Sequence, residues 1–286
     1  MTWSLVTYTR EGAEAVGVLH DDGTLVRLKR WTTMLDLLTE HPDLSTLDID
    51  GPVAVHDELL APLRWPRKVI CAGVNYRKHV AEMGGEIPAE GWHPYFFLKA
   101  PTTSVIGPRD PIVIRQEDNY DWEAELAVII GLPGKHISPE RAGFHVAGYC
   151  VANDISARGR HRRQAVPADP FRYDWFSAKS MDGSLPLGPG ITPSFWIKDC
   201  QDLRVRLWLN DQLQQDGSTS DMICPVAELV AAASDVVTLE PGDVIATGTP
   251  AGVGAGRGLF LRPGDVVRVT IDGLGTLENI VTEETP

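Results

Sequence analysis

Asp121-Trp122-Glu123-Ala124-Glu125-Leu126-Ala127-Val128-Ile129-Ile130-Gly131 opens on acids and closes as an apolar run of the kind that makes a buried strand. Successive side chains of a strand point to opposite faces. Glu123 and Glu125 therefore share one face, and Trp122, Ala124, Leu126 and Val128 share the other. Two carboxylates roughly 6 Å apart repel by roughly 3 kcal/mol at an effective dielectric of about 20. A half-buried strand keeps both ionised only beside a compensating cation, and a divalent metal is the simplest one. Oxygen ligands suit Mg²⁺ or Mn²⁺ better than Zn²⁺. The same spacing fits two solvated glutamates at an exposed strand end, so this stretch alone leaves the choice open.

The 286 residues suffice for one large domain, or for a large and a small one. With 43% apolar and 23% charged residues, the composition is that of an ordinary globular protein. A net charge of -13 would repel phosphates and argues against a nucleic-acid partner. No apolar run reaches the length of a membrane span. Met1 to Val6 reads as a strand and lacks the basic start of a secretory leader. Cys71, Cys150, Cys200 and Cys224 are far apart, with no CxxC, which fits buried thiols in a reducing, cytoplasmic setting.

Residues 1–63 read as a small α+β unit: strands near Ser4–Thr9, Ala15–His20 and Leu25–Leu28, an Asp22-Gly23 turn, and a helix over Trp31–Leu38 capped by Thr32 or Thr33. A short apolar strand then ends at Gly73. His79 and Glu82, three apart, share one face of the helix that follows. A carboxylate beside an imidazole fixes its tautomer and suits a general base, though the same spacing makes ordinary surface ion pairs. Met83–His93, with Gly84-Gly85 as a hinge, has the make-up of a lid or of a plain loop. Lys99 ends an aromatic strand, either as counter-charge to the acids or with its head in water. Residues 104–115 read as a hairpin turning at Gly107–Pro111. His145–Ser156 is a strand ending in Asn153-Asp154. Asp154 is a third carboxylate for a divalent ion, or a cap or turn residue. Arg158 to Arg163 forms the one basic cluster, able to take a substrate carboxylate or simply to face solvent. Pro186–Gly190 reads as a turn. Asn210-Asp211 marks a hairpin, and Val226–Ala233 is a helix begun by Pro225. The glycines of Ile245–Gly254 allow backbone N–H groups to approach an anion, with Thr249 adding a hydroxyl.

In order, Gly73-Val74-Asn75-Tyr76 with His79 and Glu82, Phe97-x-Lys99, Trp122-Glu123-x-Glu125-Leu126, Asn153-Asp154 with Arg158, Lys179-Ser180, and Thr247-Gly248-Thr249-Pro250 resemble the fumarylacetoacetate hydrolase family over roughly residues 64–286. The resemblance implies an α+β, mostly β architecture. Its catalytic domain (64–286) would be a mixed β-sandwich or β-roll, preceded by the small N-terminal domain (1–63). It implies a homodimer and Mg²⁺ or Mn²⁺. By motif position Glu123, Glu125 and Asp154 match the metal ligands, and His79 and Glu82 match the water-activating pair. Lys179 matches the lysine that stabilises an enolate. Arg158, Thr249, Tyr76 and Lys99 are expected near substrate. His161 stands where the family commonly has a substrate-touching glutamine, which points to a different substrate or a different proton step.

The expected activity is metal-dependent hydrolysis of a C–C bond in a small acylpyruvate-like diketo acid. Decarboxylation, isomerisation or hydration of a 2-oxo acid would use the same site without water attack. A non-catalytic metal- or metabolite-binding protein is the reading of another class, and binding without turnover would mark it.

Overall fold

The computed structural model describes residues 2–87 and 92–285, so part of the expected lid, residues 88–91, lies outside the described residues. An eleven-stranded mixed sheet organises the chain. Its path runs Leu25–Arg27, Ala13–His20, Trp3–Arg10, Leu185–Pro193, Val146–Asn153, Ala124–Ile130, Val244–Ala246, Val69–Gly73 and Tyr95–Lys99. Glu58–Leu60 and Val105–Ile106 pair beside this path. A five-stranded sheet is built from Gln212–Ser218, Arg204–Leu209, Val266–Ile271, Gly275–Glu283 and Ile112–Ile114.

The strand Ala124–Ile130 is buried at every position, and its two faces feed two cores. Trp122, Ala124, Leu126 and Val128 join Val205, Leu207, Val267 and Val269 of the second sheet and Val230 of the helix Val226–Val236. Ala127 and Ile129 join Leu5, Leu37 and Leu38 from the front of the chain. The acidic pair therefore continues the face that packs on residues 1–63. That front unit is continuous with the rest: Leu5 pairs with Ile191, and the helix Met34–Glu40 packs into the shared core. Its N-cap is Thr33, whose hydroxyl accepts from the Asp36 N–H at 3.1 Å. The helix starts later than Trp31 because the cap satisfies that end.

The hairpin at Asn210-Asp211 forms, both residues having positive φ. Two turn signals have other outcomes. Residues 104–115 do reverse, with the Gly107 N–H donating to Asp110. The arms, however, join different sheets: Val105–Ile106 runs parallel to Leu185-Pro186, and Ile112–Ile114 runs parallel to Val281–Glu283. Pro186–Gly190 lies inside the strand Leu185–Pro193. The pairing with Val146–Asn153 shifts register between Tyr149 and Val151, so the missing N–H of Pro189 falls where the ladder is interrupted.

Gly148 marks the tightest part of this strand pair. A Cβ there would lie 2.3 Å from the Thr192 carbonyl oxygen and 2.9 Å from Ile191 Cγ2. Backbone on both sides is held by the ladder and cannot yield cheaply. Gly148→Ala is expected to destabilise the fold by about 1–3 kcal/mol, read as a lower urea midpoint with an unchanged m-value. An unaltered midpoint would show that the ladder relaxes there. No helix of the described residues is long and apolar enough to cross a membrane.

Candidate active site at the acidic strand end

Antiparallel register assembles the acids. Ala124 lies opposite Asn153, so the residues just outside this pair, Glu123 and Asp154, become neighbours. The Asp154 N–H donates to the Glu123 carbonyl at 2.8 Å, and the Glu123 N–H donates to the Asn153 side-chain oxygen at 2.9 Å. Glu123, Glu125 and Asp154 are all buried, with one carboxylate oxygen from each lying within 4.8 Å of the others.

Three cations enter this cluster. Lys179, at the end of the helix Trp175–Lys179, donates to Glu123 Oε2 and Asp154 Oδ2, each at 2.8 Å. Lys99 donates to Asp154 Oδ1 at 2.5 Å and to the Ile155 carbonyl at 3.1 Å. Arg158 donates to Glu123 Oε1 at 2.6 Å and, through Nε, to Asp121 Oδ2 at 2.9 Å. Among the described residues no cation pairs with Glu125. The Gly248 N–H reaches its Oε2 at 2.8 Å. Four carboxylates (Asp121, Glu123, Glu125, Asp154) against three cations (Lys99, Lys179, Arg158) leave one negative charge in excess, and it falls on Glu125.

The proton affinities follow this layout. Burial would raise Glu123, but the charges of Lys179 and Arg158 outweigh it and hold its carboxyl well below the usual range. Burial pushes Glu125 well up, and the neighbouring charges of Asp154 and Glu123 push the same way. An oxygen-rich cluster with one uncompensated buried charge fits a hard divalent ion. Such an ion would turn the excess of one negative charge into one positive charge, which favours an anionic ligand.

His79 and Glu82 lie on the short helix Arg77–Glu82, with Nδ1 and Oε2 3.0 Å apart. His79 is buried. A proton on Nδ1 shared with Glu82 leaves Nε2 as the basic atom. Glu82 Oε1 accepts from the Gly252 N–H at 2.9 Å. A cavity of about 340 Å³ opens between Val74, Val80, Trp92, Tyr95 and Trp175, on the elements that carry His79, Lys99 and Lys179.

The remaining expected residues are placed unevenly. Thr249 gives its hydroxyl proton to the Ala124 carbonyl at 2.8 Å and accepts from Gln215 Nε2 at 2.8 Å, so it holds the acidic strand. Tyr76 is fully buried at the N-cap of the Arg77–Glu82 helix, its hydroxyl without a hydrogen-bond partner among the described residues. His161 packs edge-on against Trp175 at 4.4 Å, and its Nε2 is buried without a hydrogen-bond partner among the described residues. Burial, then the charges of Arg158 and Lys179, lowers its proton affinity, so the ring is neutral near pH 7. Of the basic cluster only Arg158 enters the site. Arg160 pairs with Asp118, while Arg162 and Arg163 are exposed. Asn153 belongs to the Asn153-Asp154 motif, whereas no motif in the sequence assigns a role to Asp121 or Gln215. Asp121 had a signal, as an acid at the head of the decisive stretch. Gln215 had none.

The family model for the fumarylacetoacetate hydrolase C-terminal domain matches residues 68–282. The chain is 44% identical over 229 residues to the oxaloacetate tautomerase YisK of Bacillus subtilis, a match covering 78% of this chain and 72% of that protein. Among solved structures it is similar to a fumarylacetoacetate hydrolase from Exiguobacterium antarcticum (TM-score 0.84, 35% identity, 99% of this chain and 100% of that one). It is also similar to a maleylpyruvate hydrolase from Sphingobium sp. SYK-6 in complex with manganese(II) and pyruvate (TM-score 0.76, 28% identity, 99% and 100% covered). With the acidic triad, the mixed sheets and these likenesses together, the chain belongs to the fumarylacetoacetate hydrolase family.

Proposed function

We propose that the protein interconverts the keto and enol forms of a small 2-oxo dicarboxylic acid of the oxaloacetate class, using a divalent ion held by Glu123, Glu125 and Asp154. The observation that carries this reading is the Lys179 ammonium wedged between two carboxylates of the triad, beside a buried His–Glu pair. The 44% identity to an oxaloacetate tautomerase moves tautomerisation ahead of the C–C hydrolysis expected from the sequence. Manganese is the first ion to test, since a solved relative contains it.

When bound, the ion supplies Lewis-acid polarisation of the substrate ketone. The chain's own groups move the proton. His79 Nε2 takes a proton from carbon 3, and Glu82 stabilises the imidazolium that forms. The electron pair passes to the oxygen on carbon 2. An ammonium has three N–H donors, and Lys179 commits two of them to Glu123 and Asp154, leaving the third for that oxygen. Return of the proton from His79 to the oxygen gives the enol, and the reverse order gives the ketone. No atom is gained or lost. The Arg158 guanidinium sets the charge at the Glu123 side, where a substrate carboxylate would dock.

Hydrolysis is the second reading, favoured by the same His79–Glu82 pair, which is equally suited to activating water. Oxaloacetate and an acylpyruvate are assayed in parallel, with Mn²⁺ and with EDTA, following loss of enol absorbance and release of cleavage products. Tautomerisation abolished by EDTA and lowered about 10²–10⁴-fold in His79→Ala is the expected result. Cleavage without tautomerisation would put hydrolysis first, and turnover of neither substrate would dispose of both.

A further inference from the structure

Asp121 and Trp122, the two residues before Glu123, both fasten their side chains to the glycine-rich segment 250–258. Asp121 is fully buried. Its Oδ1 accepts from the Gly254 N–H at 2.7 Å and the Trp122 N–H at 2.9 Å. Its Oδ2 accepts from the Ala255 N–H at 3.1 Å and from Arg158 Nε at 2.9 Å. Trp122 Nε1 donates to the Gly252 carbonyl at 3.1 Å, an oxygen that also accepts from Arg257 at 2.8 Å. The N–H of the same Gly252 holds Glu82, and Glu82 holds His79. The seat is close: a Cβ on Gly254 would lie 2.1 Å from the Leu259 carbonyl oxygen and 2.8 Å from Asp121 Oδ1. Backbone packed this tightly moves with the side chains that grip it.

A continuous set of contacts therefore runs from Glu123 through Arg158, Asp121 and residues 252–255 to Glu82 and His79. We propose that Asp121 is a positioning residue which, with Trp122, couples the Glu123 end of the site to the His79–Glu82 pair. It acts through Arg158 on one side and through the Gly252–Ala255 backbone on the other. The inference rests on the site reading above and adds a residue to it. Were Asp121 only a buried counter-ion for Arg158, its loss would be felt at Arg158 and not on the Arg77–Glu82 helix.

That difference decides the test. Amide hydrogen exchange is followed in metal-free Asp121→Asn and wild-type protein. Asparagine keeps the shape but places an N–H₂ against donors. Faster exchange, by about tenfold, is expected over residues 250–258 and also over 77–82, which Asp121 does not touch. Unchanged exchange over 77–82 overturns the proposal. If Asp121→Asn does not fold, Trp122→Phe removes the Nε1 donor to Gly252 together with part of a fully buried ring, so exchange over the same two segments is read relative to the strand Trp3–Arg10, which lies outside that core, with the same two outcomes. In the Mn²⁺-saturated enzyme, Asp121→Asn should lower kcat by about 10–100-fold, the loss expected when a proton-transfer group is displaced, while any rise in KM reads the Arg158 side. An unaltered kcat also overturns it. Absence of Mn²⁺ binding to wild-type protein, measured by calorimetry, would strike the metal reading alone and leave the exchange result standing.

Discussion

Lys179→Met is expected to lower kcat by about 10³-fold and to destabilise the metal-free protein more than the Mn²⁺-loaded one. The side chain is buried and spans two carboxylates. Burial opposes its charge, but Asp154 and Glu123 outweigh burial and raise its proton affinity, so it stays an ammonium at every working pH. Methionine keeps the length and removes the donors. The loss of a fixed donor at a developing oxyanion alone accounts for about 10²–10³ in rate. Without metal, Glu123 and Asp154 lose a shared cation, and breaking a buried pair in this way costs about 3–5 kcal/mol. A divalent ion on the same carboxylates offsets part of that cost, so the fall in Tm should be smaller with Mn²⁺. Lys179→Arg should not restore activity, because a planar fork does not replace a point charge between two acids. A kcat within tenfold of wild type would remove Lys179 from the chemistry. Equal losses of Tm with and without Mn²⁺ would sink the charge balance drawn around it.

What the sequence revealed and what it hid have the same physical origin. A strand's period of two fixes which face Glu123 and Glu125 share, and a strand ending in Asn153-Asp154 is visible locally. Their convergence follows from one register, Ala124 opposite Asn153. The hairpin at Asn210-Asp211 is likewise a local matter of backbone conformation. Gln215 is the contrary case. Its side chain accepts from the Ala124 N–H at 3.0 Å and donates to Thr249, though it lies 91 residues from Ala124. No periodicity or turn rule reports a side chain whose partners are that distant. Thr249 has the same difficulty, since a hydroxyl in a glycine-rich segment looks ready for a ligand until the Ala124 carbonyl is seen to take its proton. The arms of 104–115 carry a true turn, but their strand partners at Leu185-Pro186 and Val281–Glu283 are chosen by the fold as a whole.

Glu125→Gln should separate the two states of the site by moving their stabilities in opposite directions. In the metal-free protein Glu125 is the carboxylate that no cation among the described residues pairs with, crowded by Asp154 and Glu123. The amide keeps an oxygen for the Gly248 N–H and offers an N–H₂ to a neighbouring acid. The repulsion ends, and the metal-free Tm should rise by several degrees, about 2–4 °C per kcal/mol for a chain of this size class. Burial and its acidic neighbours raise the folded-state pKa of Glu125, so its contribution to stability is fully present below the unfolded carboxylate value and is lost as pH rises through the folded one. In EDTA the wild-type Tm should accordingly decline from mild acid upward, and Glu125→Gln should flatten that decline. With Mn²⁺ the order inverts. Wild-type protein at a free Mn²⁺ concentration of 100 times its Kd gains about 2.7 kcal/mol, whereas a variant lacking one of three charged ligands binds far more weakly and gains almost nothing at the same concentration. Differential scanning fluorimetry with EDTA and with Mn²⁺ reads all of this from two proteins. A variant less stable than wild type in EDTA, or one still stabilised by Mn²⁺ to the wild-type extent, would mean that Glu125 is neither the uncompensated charge nor a ligand of the ion.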